Sequence, residues 1–543
     1  MEPMIARSHP SHSSRSISGV RIVRADSAHK APLRAVPPPE RTVPMNGHYR
    51  AYRPRPFTRE ERDRVTILFG GLHWRAERLI QGAMENLGYR TQVLPPASRA
   101  DLLAGRELAD IGQCCPTSFT TGNLANFLRA QVARIGAEEV TKNYLYITAG
   151  SCGACRFGQY HESYELALRN LGLESFRVFL LDQANLDQGA QEGGGLELNM
   201  PFTLGAIWAV VLADLVQDLE YRTRPYEVNA GDTERATREA VERLYDAFRR
   251  RPVLRGKWSA ALWYLATGYF VRAMREVKRI YDRVEVDRTR VKPVVKITGE
   301  FYLQTVEGDP NYNIHRWLEA EGAEVYPAAV TIWLDYLLRL AAQEFEDRIG
   351  VDRRARLKLA AARTGQRLLR WTYARMRRAL ADVPHELPEQ AELRALAAPY
   401  YHSRLSGGEG DMLVGKALWA YHGKKAHMTC ELSPYACMPN TMSIGAMAAV
   451  LGRYPDLLYA PIEIKGDAEV HALSRCQMIL TEAKKRAQRE FEEVLERTGL
   501  TPERLREAVA ARPELARATT RVPHYGVAGT AANLALHVAG ARR

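Results

Sequence analysis

The chain lacks what would mark it for a membrane or for export. No apolar run reaches the ~18 residues that a bilayer span needs, so no membrane association is expected. The N-terminus has no charged-then-apolar leader pattern, which predicts no export. Cysteine is scarce and odd in number, 7 in 543 residues, which argues against a disulfide framework and for a reducing cytoplasm. Neither Gly-x-Ser-x-Gly nor His-Glu-x-x-His occurs, so the hydrolase readings lose their motifs. No fixed-period repeat runs through the sequence, which removes solenoid architectures.

Acidic residues are outnumbered, 63 against 76 Lys and Arg, for a net charge of +13. Such an excess raises nucleic-acid binding. Much of it lies on one long helical pattern carrying Arg353, Arg354, Arg356, Lys358, Arg363, Arg367, Arg370, Arg375, Arg377 and Arg378. Only Trp371 and Tyr373 interrupt that pattern, too few for a stacking platform. A solvated face or an acidic-partner contact is the expectation, and nucleic acid is not.

What remains is ordinary globular material, 46% hydrophobic and 26% charged. Residues 1–60, rich in Ser, Arg, His and Pro, read as a disordered basic tail. Residues 61–200 read as a first α/β lobe, with strands near Val65–Phe69, Thr91–Leu94 and Tyr144–Thr148 and a helix from about Trp74 to Leu87. A helical segment is expected over 201–290, and a second α/β lobe starts over 291–330. A helical insertion follows over 331–400. Residues 401–495 complete the second lobe, and 496–543 form a partly helical tail. The fold class is α/β, with parallel-sheet lobes and helical insertions.

Six of the seven cysteines sit in three Gly/Pro-rich motifs. These are Gln113-Cys114-Cys115-Pro116, Ser151-Cys152-Gly153-Ala154-Cys155 and Cys430-Glu431-Leu432-Ser433-Pro434-Tyr435-Ala436-Cys437-Met438-Pro439. Thiolates are soft ligands that select zinc, copper(I) or iron–sulfur clusters. Cys-x-Pro stops the chain in a rigid turn just past the ligand, because proline lacks an N–H and fixes φ. A structural zinc site built on Cys152-x-x-Cys155 is an alternative, although Cys430 and Cys437 do not supply the second Cys-x-x-Cys of a zinc ribbon. Cys476 reads as a buried thiol on a helix face. Gly410 to Lys416 mimics a phosphate loop, but Ala417 replaces the Ser/Thr that would hold magnesium.

These motifs resemble landmarks of the 2-hydroxyacyl-CoA dehydratase superfamily. The resemblance runs from about residue 65 to about 490. Besides the cysteine motifs, it rests on Thr120-Thr-Gly-Asn123, Cys155-Arg-Phe-Gly-Gln-Tyr160, Thr223-Arg-Pro-Tyr-Glu227, Gly299-Glu-Phe-Tyr302 and Ser433-Pro434. It points to the branch found at the C-terminal end of large CoA-substrate-specific enzyme activases, and to free-standing and double-cubane relatives. The resemblance implies Rossmann-like lobes around a central iron–sulfur site, a 4Fe-4S cluster or a larger double-cubane one. Cys114, Cys155 and Cys437 would be the core ligands. Cys152 and Cys430 resemble the extra cysteines of the double-cubane branch, and Cys115 is a spare or alternative ligand. The implied partners are an ATP-hydrolysing activator iron–sulfur protein, which delivers single low-potential electrons, and a small-molecule substrate such as a CoA thioester. Assembly as a homo- or hetero-oligomer is also implied.

Beside the motifs, Arg156, Glu300 and His427 are candidate catalytic or tuning residues, and Asn313 and Glu431 are further polar candidates for a pocket wall. Each has a plainer role open to it, as a salt-bridge or loop hydrogen-bonding residue. The alternative to an enzyme is a non-catalytic iron–sulfur electron relay or scaffold.

Overall fold

Short apolar strands separated by helical patterns need crossover connections, and each half of the chain meets that need with a parallel sheet. The computed structural model describes residues 55–540, apart from 110–111, 151–154, 182–193, 254–255 and 406. Strands β1 (Thr66–Phe69), β2 (Arg90–Val93), β3 (Tyr144–Ala149) and β4 (Arg177–Leu181) form a sheet in the order β2-β1-β3-β4. Strands β5 (Val294–Gly299), β6 (Glu324–Tyr326), β7 (Met428–Pro434) and β8 (Tyr459–Ile464) repeat that order as β6-β5-β7-β8. All neighbours are parallel. The chain leaves the centre of each sheet in opposite directions, so crevices open past β1/β3 and past β5/β7. Open α/β sheets gather their ligands at such switch points.

The expected α/β class with parallel-sheet lobes is therefore present. Strand β4 has no counterpart in the sequence reading. Strand β7 corrects it, because the stretch holding Cys430 is a strand and not a turn. All seven of its residues are buried, so no polar alternation marks it, and Ser433-Pro434 at its end imitates a loop. Residues 1–54 of the expected tail lie outside the described residues. The end of that tail is packed, with Phe57 fully buried against Val65 and Phe179.

The spine of the molecule is the helix Met200–Thr223. It is long and apolar enough to cross a membrane, which corrects the expectation that no segment is, but most of it is buried in the core. Val211, Leu212, Leu215 and Leu219 pack with Leu79 and Ala83 from the Trp74–Asn86 helix and with Tyr373 and Met376 from the Ala355–Ala379 helix. Arg75 is fully buried and donates to Glu220 on the spine and, at 2.7 Å, to Glu307 of the second lobe. Arg224 binds Glu220 and lies 2.9 Å from Glu319, while the Tyr226 hydroxyl donates to Glu324 at 2.8 Å. The Thr223–Glu227 motif thus ties the second lobe to the spine.

The basic helix Ala355–Ala379 turns several of its arginines inward. Arg370 reaches Asp335 at 2.8 Å, Arg375 the carbonyls of Leu265 and Thr267, and Arg377 both Asp382 and Glu386. After residue 496, where a tail is expected, the helices Pro502–Ala510 and Thr530–Val538 bury Leu505 and Leu534 against Phe491 and Val494.

Candidate functional site

The first thiol motif is hydrogen-bonded to both of the others. Cys114 is the N-cap of the helix Cys115–Ile135, with Pro116 in its first turn. That helix crosses the Arg99–Leu108 helix at Gly105 and Gly122, where any Cβ would collide with the opposing backbone. Small residues at the crossing fix where the helix begins, and hence where Cys114 sits. Cys155 is the N-cap of the single turn Arg156–Gln159 that follows β3. Cys437 is the N-cap of the helix Met438–Arg453 that follows β7, and it is preceded by Ala436 at φ +63°. A non-glycine residue held in the left-handed region marks a turn fixed by its surroundings.

Direct bonds join the motifs. The Cys115 amide donates to the Tyr435 carbonyl at 3.4 Å, linking the first motif to the third. The Cys114 Sγ lies 3.1 Å from both the Thr117 hydroxyl and the Tyr160 hydroxyl, linking the first to the second. The Arg156 guanidinium donates to the Gly112 carbonyl, so this candidate acts as a clamp between the same two motifs. The Phe157 amide donates to the Cys155 Sγ at 3.5 Å.

Glu300 lies among these thiols. Gly299, at φ +127°, lets β5 pass so close to β7 that a side chain would strike the Leu432 backbone. Glu300 then caps the helix Phe301–Thr305, accepting from the Tyr302 and Leu303 amides at 3.0 Å each. Its charge raises Cys437, Cys155 and, as the last of its causes, Cys114. Burial pushes the Glu300 carboxyl up to about 7, against the pull of those two amides. Burial also pushes the Cys155 thiol up to about 12, with Glu300 and Glu409 adding to the rise. Cys437 goes up for the same reasons. Cys114 goes up as well, but the Thr117 and Tyr160 hydrogen bonds hold it back.

Behind Glu300 stands a buried charged row, of which the sequence reading offered Glu431 as a pocket-wall candidate and did not single out Glu409. Glu409 has an Oε1 atom with no partner among the described residues, and burial together with the Glu300 charge pushes its carboxyl up to about 8. Lys416 follows, 1% exposed, donating to Gln304 at 3.2 Å. Glu431 completes the row, taking bonds from Asn440 at 2.7 Å and from the Tyr459 hydroxyl. The phosphate-loop mimic thus resolves as a helix, Asp411–His422, with its lysine pointing into the core. Gly415 is small because the Leu393 backbone crosses there, not because a phosphate does.

Other expected site residues fall elsewhere. Cys430 points to the opposite face of β7 from Glu431 and pairs with Cys476 in the apolar core. Cys115 turns into the same core beside Leu102, Phe119 and Tyr302. His427 lies at the start of β7, away from the thiols. Its Nδ1 accepts from the Val294 amide at 2.9 Å and its Nε2 faces Glu490 at 3.2 Å. Asn313 caps a helix in the left-handed conformation. Cys152 lies outside the described residues.

Among the described residues, no three His, Cys, Asp or Glu side chains form a group for one metal ion. The donor chemistry nevertheless suits a soft metal body. Three thiols, each starting a helix or turn, come from three separate segments, and Cys114 and Cys155 have hydrogen-bonding groups at the sulfur. No protein-family model and no curated protein matches the chain.

Proposed function

We propose that the chain is an iron–sulfur protein of the 2-hydroxyacyl-CoA dehydratase type, working in a reducing cytoplasm. In this reading, an ATP-hydrolysing activator iron–sulfur protein supplies electrons with which the protein dehydrates or reduces a small substrate, a CoA thioester among the candidates. The observation that carries the reading is the direct bonding between the three thiol motifs, with the Cys115 amide on the Tyr435 carbonyl and the Cys114 Sγ 3.1 Å from the Tyr160 hydroxyl.

Those three cysteines would hold a 4Fe-4S cluster, with Cys152 as the additional thiol for a double-cubane one. A bound cluster supplies single electrons at potentials as low as about −700 mV. The protein's part is to position and to protonate. Burial keeps the thiols protonated, so loading must release protons, and uptake of metal is favoured by rising pH. Thr117, Tyr160 and the Phe157 amide steady the sulfurs. Glu300 and Glu409, each retaining a proton near neutrality, are placed to hold or give one beside the thiols.

The test is anaerobic purification of the full chain, with iron and acid-labile sulfide quantified and visible absorption recorded. Brown protein containing both elements, reducible by an ATPase partner, supports the reading. Colourless protein with stoichiometric zinc overturns it.

A further inference from the structure

Beside Lys416 lies a small, partly open cavity of about 30 Å³. Gln217, Asp218, Lys296, Tyr326, His385 and Lys416 line it. Gln217 is 1% exposed, yet neither its amide nitrogen nor its amide oxygen has a partner among the described residues. A buried amide left entirely without partners is costly, and the space is sufficient for one or two waters. Lys296 donates to the Pro327 carbonyl at 2.9 Å and lies 3.6 Å over the Tyr326 ring. His385 stacks on the other side of this wall, its ring 3.7 Å from that of Tyr326. Its Nδ1 is 2.7 Å from Asp218, and its side chain is 21% exposed.

We propose that this cavity is filled with water and forms a proton inlet, running from the part-exposed His385, held by the buried Asp218, past Gln217 and Lys296 to Lys416. Its purpose rests on the function proposed above, and it narrows that function. Dehydration releases a hydroxide and a proton together as water and draws nothing from bulk. Reduction consumes one proton for each electron added, so a dedicated inlet suits a net reduction.

The groups facing Lys416 can pass a proton on. Glu409 comes from the turn before its own helix, Glu431 from β7, Gln304 from the Phe301–Thr305 helix and Lys296 from β5. Burial pulls the Lys416 ammonium down to about 8 and the Lys296 ammonium below the ordinary lysine range. Lys416 can therefore give up its proton within reach of neutrality.

Two measurements test the inlet. In a crystal structure of the cluster-free chain, ordered water bonded to Gln217 and Lys416 is expected, and a dry cavity overturns the inlet. In the iron-loaded chain, electrons are supplied from an electrode, which releases no protons of its own, and proton uptake is followed with a pH-indicator dye. Gln217→Leu and Lys296→Met should each slow proton uptake by about a hundredfold, the low side of what positioned proton donors supply. Their iron content should match the unsubstituted chain. Unchanged uptake in both variants overturns the inlet. A chain that takes up no iron ends the functional reading, and the crystallographic result then decides the inlet alone.

Discussion

Cys114 and Tyr160 stand 46 positions apart in the chain, and the sulfur of one lies 3.1 Å from the hydroxyl of the other. That contact is the shortest statement of how the site is built, since it makes the conformation of one motif depend on the other. Tyr160→Phe keeps the ring and removes the bond. The expected outcome is a loss of about 1 kcal/mol in denaturant unfolding, with the Cys114 thiol rising further. Unchanged stability and unchanged alkylation of Cys114 across pH would contradict it.

Cys430 and Cys437 lie in one motif but face different surroundings. Cys437→Ser should abolish iron uptake by anaerobically prepared protein. Cys430→Ser should retain iron and cost about 1–3 kcal/mol, because it places a hydroxyl in an apolar core. Equal iron loss in the two variants would remove the assignment of Cys430 to the core.

The carboxyls behind the thiols give the folded chain a pH signature. Glu300 and Glu409 are raised from the ordinary 4.5 to about 7 and about 8. The folded state therefore binds their protons more tightly than the unfolded state. Their stabilising effect is complete below about 4.5 and is lost as pH rises through about 7 to 8. Lys416 is lowered to about 8, so the penalty for burying its charge is constant below that value and outside this window. The denaturation midpoint of the cluster-free chain should fall between about pH 5 and about pH 8. Glu409→Gln should flatten the slope, and an identical slope would count against a raised Glu409.

Gly299→Ala tests the close approach of β5 to β7. The residue sits at φ +127°, and a methyl group would meet the Leu432 backbone. A loss of about 3 kcal/mol or an unfolded product is expected, whereas Gly→Ala at an unconstrained position is stabilising or neutral.

Much of this architecture was legible in advance, and the gaps have physical causes. Strands β1, β3 and β5 announce themselves as apolar runs, each leading into a glycine. Strand β7 does not, because central parallel strands lack alternation and its Ser433-Pro434 end imitates a turn. Cys430 was read as a turn thiol for that reason. His427 belongs to the wrong end of the same strand, which spacing along the chain cannot reveal. Glu409 and Lys416 were hidden by the resemblance of Gly410 to Lys416 to a phosphate loop. Only the crossing of Leu393 over Gly415 shows why the glycine is there. The three cysteines at helix starts, by contrast, carried their Gly and Pro signals openly.

The buried pairing of Arg75 with both Glu220 and Glu307 limits how the molecule can breathe. Swinging the lobes apart would take Glu307 from a fully buried guanidinium and leave it Glu220 alone, which is unfavourable. The pairing therefore opposes any motion that would part the two sheets.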